Sequence, residues 1–229
     1  MTTVYDGLVS RHLNRHFSRP IARALSHTPA TPNQVSVCSL LLAVGSLAAF
    51  AAGQPILGGV LAQTSSIVDG VDGDLARLTG QSSAFGGFFD AILDRYSDGL
   101  ILLGLTIWAA QGANKDLAWA VGFVALAGSY TVTYTRARID EGHRRMFDRG
   151  LSSMASRDLR LLLVLIGGVS GQGLATLVVL AALTNTIVLV RVISARVTLG
   201  GASTRTVERA VPPASSYNPS EPENDEPRH

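Results

Sequence analysis

Four stretches of this chain, residues 34–68, 99–114, 117–135 and 161–190, contain no charged side chain. A helix that crosses the hydrocarbon of a bilayer needs about 20 mostly apolar residues, and these runs supply them. Of 229 residues, 47% are hydrophobic and only 16% charged, against about 25% charged in a typical soluble domain. The mean hydropathy is +0.28. These values exclude a disordered chain, a coiled coil and an ordinary cytosolic enzyme. Nineteen basic and 17 acidic residues leave a net charge of +2, too balanced for a dedicated nucleic-acid binder. The single cysteine, Cys38, excludes an intramolecular disulfide framework and a cysteine-rich zinc site. The length fits one domain or two small ones. An all-α integral membrane protein is the class left.

Turn signals divide the uncharged runs. Gly53-Gln54-Pro55 breaks the first, and Gly167-Gly168 and Ser170-Gly171-Gln172-Gly173 break the last. Six transmembrane helices are expected at about 34–52, 56–78, 84–110, 116–138, 156–171 and 174–196, the fifth short for a full span. Residues 1–32 contain no apolar stretch long enough for a signal peptide. Arginine then orients the bundle. Arg11, Arg15, Arg19 and Arg23 precede the first span, seven arginines lie between Arg136 and Arg160, and five follow from Arg191. The three connections on the other side carry one cation, Lys115. This asymmetry places both termini in the cytoplasm of a multi-pass protein, in a bacterial or archaeal plasma membrane. Leu8, Leu13, Phe17 and Ile21 sit among arginines in a cytoplasmic juxtamembrane segment, residues 1–33. A helix there lies on the membrane surface, or the segment is an ordinary positive flank. Residues 34–198 form the six-helix domain, and the Pro-, Ser-, Asn- and Glu-rich residues 199–229 are expected to be a disordered cytoplasmic tail.

Six of the 17 acidic residues fall between Asp69 and Asp98, within the second and third spans. At the bilayer centre each costs about 2.5–3.5 kcal/mol on insertion scales, so the set needs compensation. Only Arg77 and Arg95 lie nearby. Asp69 and Asp72 are three apart, and Asp90, Asp94 and Asp98 four apart, so each set occupies one helix face. Asp69 and Asp72 on one helix, and Asp90 and Asp94 on the other, reach similar depths near the cytoplasmic ends. Hard carboxylate oxygens without His or Cys partners favour Mg²⁺, Mn²⁺ or Ca²⁺. Gly70, Gly73, Gly86 and Gly87 permit close approach of a helix or a ligand. Spacing alone leaves three readings open: a metal site, a water-filled transport path, and acids at the cytoplasmic rim. The five histidines have no paired ligand spacing.

Residues 69–94 read DGVDGDLARLTGQSSAFGGFFDAILD and match D-x2-D-G-x2-A-R-x8-G-x3-D-x3-D at every fixed position. This resembles the signature of the class I CDP-alcohol phosphotransferases, also called CDP-alcohol phosphatidyltransferases, and the likeness covers about residues 25–196. It implies that Asp69, Asp72, Asp90 and Asp94 hold two divalent ions, usually Mg²⁺ with Mn²⁺ an alternative, and that Asp94 is also the general base. It further implies that Gly73, Ala76, Arg77, Ser83 and Gly86 contact a CDP-linked donor, with Pro32 and Asn33 at another edge of that pocket. Asp74 and Asp98 lie outside the fixed motif. Asp98 extends the Asp90/Asp94 face, whereas Asp74 points elsewhere. Family members form homodimers through their membrane helices, and a homodimer in a lipid bilayer is expected here.

Arg157 and Arg160 share a helix face, and Arg191 lies inside the last span, where an isolated cation is costly. Three arginines near a cytoplasmic cavity suit a phosphorylated acceptor, and the segment equally suits anionic lipid head groups. Inositol-phosphate-using family members are similar in having basic residues in comparable places. Two activities are therefore implied. One transfers a phosphatidyl group from CDP-diacylglycerol to a polar alcohol such as inositol phosphate, releasing CMP in phospholipid biosynthesis. The other joins CDP-inositol to inositol phosphate, as in di-inositol-phosphate phosphate synthases. The run Asp94-Arg95-Tyr96-Ser97-Asp98 and the peptide Ala155-Ser156-Arg157-Asp158 resemble the second group. The cytidylyltransferase domain often fused to that group has no counterpart here, which favours the first. A carboxylate-lined transporter is the alternative of another class, and it would not need Gly73, Ala76 and Arg77 at their spacing.

Overall fold

Local sequence signals set the helix boundaries. Thr31 Oγ1 accepts from the Gln34 amide at 3.4 Å, and Gln34 Oε1 accepts from the Thr31 amide at 3.0 Å. With Pro32 in the first turn, this reciprocal cap starts a helix. The Ser83 hydroxyl accepts from the Gly86 amide at 3.0 Å and starts another. Gly80, at φ 68°, ends the helix before it in the left-handed conformation that glycine tolerates. The computed structural model describes residues 15–138 and 156–210. Within them are seven helices and no strand: α1 (Arg15–Leu25), α2 (Pro32–Ala51), α3 (Pro55–Thr79), α4 (Ala84–Ala109), α5 (Lys115–Arg138), α6 (Arg157–Ser170) and α7 (Gly173–Ala210).

Helices α2 to α6 fall within two residues of the expected bounds, and α1 supplies the juxtamembrane helix. The last helix departs from expectation. It runs to Ala210, so residues 199–210 are helical where a disordered tail is expected. Gly200-Gly201 does not stop it, and the first proline is Pro212, which disfavours a helical residue immediately ahead of it. Residues 211–229, Leu8, Leu13, Arg11 and most of the arginine-rich segment, 139–155, lie outside the described residues. The chain divides into a unit ending at Arg191 and a second beginning at Val192.

By length and composition, three helices among the described residues are able to cross a membrane: α2, α5 and residues 173–197 of α7. Helices α3 and α4 have 25 and 26 residues, about 38 Å at 1.5 Å per residue, but carry the six acids. Helix α6 has 14 residues, about 21 Å, against roughly 30 Å of hydrocarbon. The result is an all-helical membrane fold.

The core of the first unit is made largely by α2, α3, α4, α6 and α7. Phe50, Ile101, Leu105, Val164, Leu177 and Leu180 are buried together with small residues such as Ala43 and Ala62. Close helix approach makes up for the modest side-chain volume. A Cβ on Gly104 would lie 2.7 Å from the Leu47 Cα, so only glycine lets α4 approach α2 this closely. Buried serines bridge α2 to α3: Ser39 Oγ donates to the Ser65 carbonyl at 3.0 Å, and Ser65 Oγ returns to the Ser39 carbonyl at 2.9 Å. The three short turns meet at one end. Gln111 Nε2 donates to the Ala51 carbonyl at 3.0 Å, Gly168 abuts the Pro55 carbonyl, and Gly173 packs against the Trp108 ring. The acidic ends of α3 and α4 lie toward the opposite ends of those helices.

Candidate active site

The carboxylates expected to face one another do so. Asp69 and Asp72 on α3 and Asp90 on α4 each offer an oxygen within 4.8 Å of the others'. Asp72 is 7% exposed, and the Ser36 hydroxyl of α2 donates to its Oδ2. Asp90 Oδ1 is buried with no hydrogen-bond partner among the described residues. Burial of several carboxylates this close is unfavourable without countercharge. Three hard oxygen donors and an unpartnered buried oxygen fit a hard divalent cation, and no His or Cys competes for a softer one.

Asp94 joins the cluster through an arginine. Arg157 Nη1, from the first turn of α6, lies 2.6 Å from Asp69 Oδ2 and 2.9 Å from Asp94 Oδ1. Asp94 Oδ2 also accepts from Arg95 Nη2 at 3.3 Å. Thus the proposed base is flanked by two cations, and one is shared with a proposed metal ligand.

Beside the carboxylates opens a cleft of about 180 Å³, walled by the start of α2, the end of α3 and the α3–α4 turn. All seven residues assigned to the CDP-linked donor line it: Pro32, Asn33, Gly73, Ala76, Arg77, Ser83 and Gly86. Asp72 and Asp90 line it as well, so the cleft and the carboxylate cluster share two residues. Ser83 has a structural task too, as the cap of α4. Gly87, one of the glycines expected to permit close approach, also lines it, and Ser36, Gln81 and Ser82, which the sequence did not single out, complete the lining. Of these, Gln81 and Ser82 stand between motif positions, where spacing gives no signal.

Asp74 points away from the cluster, as expected. Its Oδ2 accepts from Ser18 Oγ of α1 at 2.9 Å, and its Oδ1 lies 2.6 Å from Arg77 Nη2. Asp98 turns instead to arginines, with Oδ1 2.9 Å from Arg157 Nε and Oδ2 2.8 Å from Arg160 Nη2. Arg160 Nη1 donates to the Ser129 carbonyl at 3.3 Å. Arg191 Nη1 donates to the Val132 carbonyl and, at 3.0 Å, to Thr135 Oγ1. Ser129 and Val132 are three apart on α5, so Arg160 and Arg191 engage that helix within one turn. Arg157 thus pairs with the motif carboxylates Asp69 and Asp94, whereas Arg160 pairs with Asp98.

Known proteins show the same likeness. The family model for CDP-alcohol phosphatidyltransferase matches residues 29–189. A bifunctional IPC transferase and DIPP synthase from Rubrobacter xylanophilus is 46% identical over 79% of this chain. The match spans 40% of that relative's own length, so the chain covers well under half of it. A phosphatidylinositol phosphate synthase from Mycolicibacterium smegmatis is 34% identical over 73% of each chain. Among solved structures, the Mycobacterium tuberculosis phosphatidylinositol phosphate synthase with CDP-DAG bound has a TM-score of 0.64 and 26% identity, covering 79% of this chain and 94% of that one. The same mycobacterial enzyme in complex with manganese and citrate has a TM-score of 0.63, at 76% and 87% coverage. With its motif intact and the family model matched across most of its length, this chain belongs to the CDP-alcohol phosphatidyltransferase family.

Proposed function

We propose that this protein is a membrane-embedded, metal-dependent transferase that moves a phosphatidyl group from CDP-diacylglycerol to a polar alcohol, releasing CMP. Inositol phosphate is the acceptor that the site suits. The observation that carries the reading is the continuity of the site: the donor cleft ends on Asp72 and Asp90, and Arg157 extends the same cluster to Asp94 and Asp98.

Asp69, Asp72, Asp90 and Asp94 would hold two divalent ions, Mg²⁺ or Mn²⁺. Such ions supply neutralisation of the pyrophosphate and stabilisation of charge on its bridging oxygen. The small residues Gly73, Ala76 and Gly86 leave room for the nucleotide against the helices, and Arg77 supplies a cation at the cleft edge. Arg157, Arg160 and Arg191 hold the acceptor's phosphate. Binding there orients the acceptor hydroxyl toward Asp94, which removes its proton as the oxygen attacks the phosphorus distal to cytidine. CMP departs and a phosphodiester forms. No Ser, Cys or His stands at a fixed motif position, so a single displacement is the economical course.

Six spans are part of this reading, with α6 the shortest. Both termini and the site lie on the cytoplasmic side in this reading, which the arginine distribution supports. A homodimer in the bilayer completes it, with residues 34–198 as the catalytic domain. A second reading has a specific observation in its favour: the 46% identity to the bifunctional IPC transferase and DIPP synthase supports CDP-inositol as donor.

Purified full-length protein in lipid nanodiscs, with Mg²⁺ and inositol phosphate, distinguishes the two by CMP release. Product from CDP-diacylglycerol is expected. Product from CDP-inositol alone would replace the lead with the second reading, and no CMP from either donor would remove both.

A further inference from the structure

Asp98 lies one helical turn beyond Asp94 on the same face of α4, outside the motif. It is 3% exposed, and each of its oxygens meets a different guanidinium group: Oδ1 with Arg157 Nε and Oδ2 with Arg160 Nη2. A carboxylate occupied in this way at both oxygens is poorly placed to be a metal ligand. Its two partners lie three residues apart in the first turn of α6, which begins at the Ser156 cap, and Ser66 of α3 donates to the intervening Asp158 at 2.7 Å. Two buried guanidinium groups at that spacing repel each other. Asp98 is the group that holds both. With Nε fixed by Asp98, the Arg157 head is directed at Asp69 and Asp94, and its Nη2 is buried without a hydrogen-bond partner among the described residues.

We propose that Asp98 is a positioning residue for the acceptor, holding Arg157 and Arg160 together so that an incoming phosphate group is bound beside Asp94. The inference rests on the reading of these arginines as the acceptor-phosphate site. An Asp-to-Asn change tests it sharply. The amide keeps one acceptor atom but presents N–H groups where Asp98 now faces a second arginine, so one guanidinium group must let go.

The experiment uses full-length protein in nanodiscs with Mg²⁺ and the donor that turns over. KM is measured for donor and for inositol phosphate separately, and inositol phosphate binding is measured by calorimetry without donor. D98N is expected to raise the inositol phosphate KM and Kd about tenfold or more, the scale of a lost charged hydrogen bond, with donor KM within about twofold. D98E keeps the charge and should recover part of the loss. If R157Q and R160Q weaken inositol phosphate binding but D98N leaves it unchanged, the proposal falls and the acceptor reading stands. If neither arginine variant alters that binding, the acceptor reading itself falls, and the proposal with it. Should D98N fail to fold, D98E decides. A shifted charge raises acceptor KM selectively if Asp98 positions the arginines, and an equal effect on donor KM overturns the proposal.

Discussion

Asp94 lies 2.9 Å from Arg157 Nη1 in an ion pair and accepts from Arg95 Nη2 at 3.3 Å, so it is held in place from two sides. An asparagine there keeps an oxygen for one of these cations while losing the capacity to take a proton. Asp94→Asn is therefore expected to lower CMP release by about 10²–10⁴-fold, the contribution of a positioned general base. Thermal unfolding of the variant in detergent should stay close to that of the parent. Near-normal turnover would remove the base assignment. At this scale the sequence revealed a great deal, because the motif combines charge and spacing. Asp69, Asp72 and Asp90 meet across two helix faces, Arg157 links Asp94 to Asp69, and every residue expected to contact the donor lines one cleft. What it did not reveal is pairing across helices. Asp98 and the Arg157/Arg160 pair are 59 and 62 residues apart, and no periodicity within either helix says that they touch. The available hint was energetic: unpaired charges of opposite sign within apolar spans have strong reason to find one another.

Helix α1 affects the site by a different route. Its buried Ser18 donates to Asp74, and Asp74 holds Arg77 at the edge of the donor cleft. This chain of contacts makes α1 a support for the donor site, independent of whether it also rests on a membrane surface. Phe17 and Ile21 remain exposed on its other faces, available to lipid. Arg77 is 58% exposed, so its ion pair with Asp74 is screened and modest. Asp74→Ala is accordingly expected to raise donor KM only about 2–5-fold, matching a surface pair of roughly 0.5–1 kcal/mol. Ser18→Ala should have a smaller effect in the same direction, and neither should change acceptor KM. Initial-rate measurements with donor varied at saturating inositol phosphate check this, and an unchanged donor KM in D74A would sever α1 from the site. The positions of α2 to α6 were legible from caps, prolines and charge-free runs. The docking of α1 was not, because Ser18 and Asp74 lie 56 residues apart and their types suggest no pairing. The extension of α7 was obscured by composition: Gly200, Gly201 and several Ser and Thr residues resemble a tail, yet no proline interrupts the helix before Pro212.

For the molecule as a whole, charge and turn geometry bear on the same topology. The turns joining α2 to α3, α4 to α5 and α6 to α7 meet at one end, linked by the Gln111–Ala51 hydrogen bond and the contacts of Gly168 and Gly173. Lys115 is the sole cation in those connections, whereas arginines crowd the segments at the other end. If each helix from α2 to α7 crosses once, the turns are external and the donor cleft is cytoplasmic. Helices α3 and α4 can cross despite their acids, because Asp72, Asp74, Asp90 and Asp94 lie toward the cytoplasmic ends, and Asp98, near the middle of α4, is paired with Arg157 and Arg160. Helix α6 is the demanding case. Its roughly 21 Å require local thinning of the bilayer or an extension by flanking residues. The prediction is tested in a Cys38→Ser background by placing single cysteines at Asn114 and at Gln172, and a third at Ser203. A membrane-impermeant maleimide added to intact cells should label the first two and spare the third until the membrane is opened. Labelling at Gln172 carries the decision on α6. Protection there, with Asn114 labelled, would make α6 a re-entrant or interfacial helix and reduce the number of full crossings.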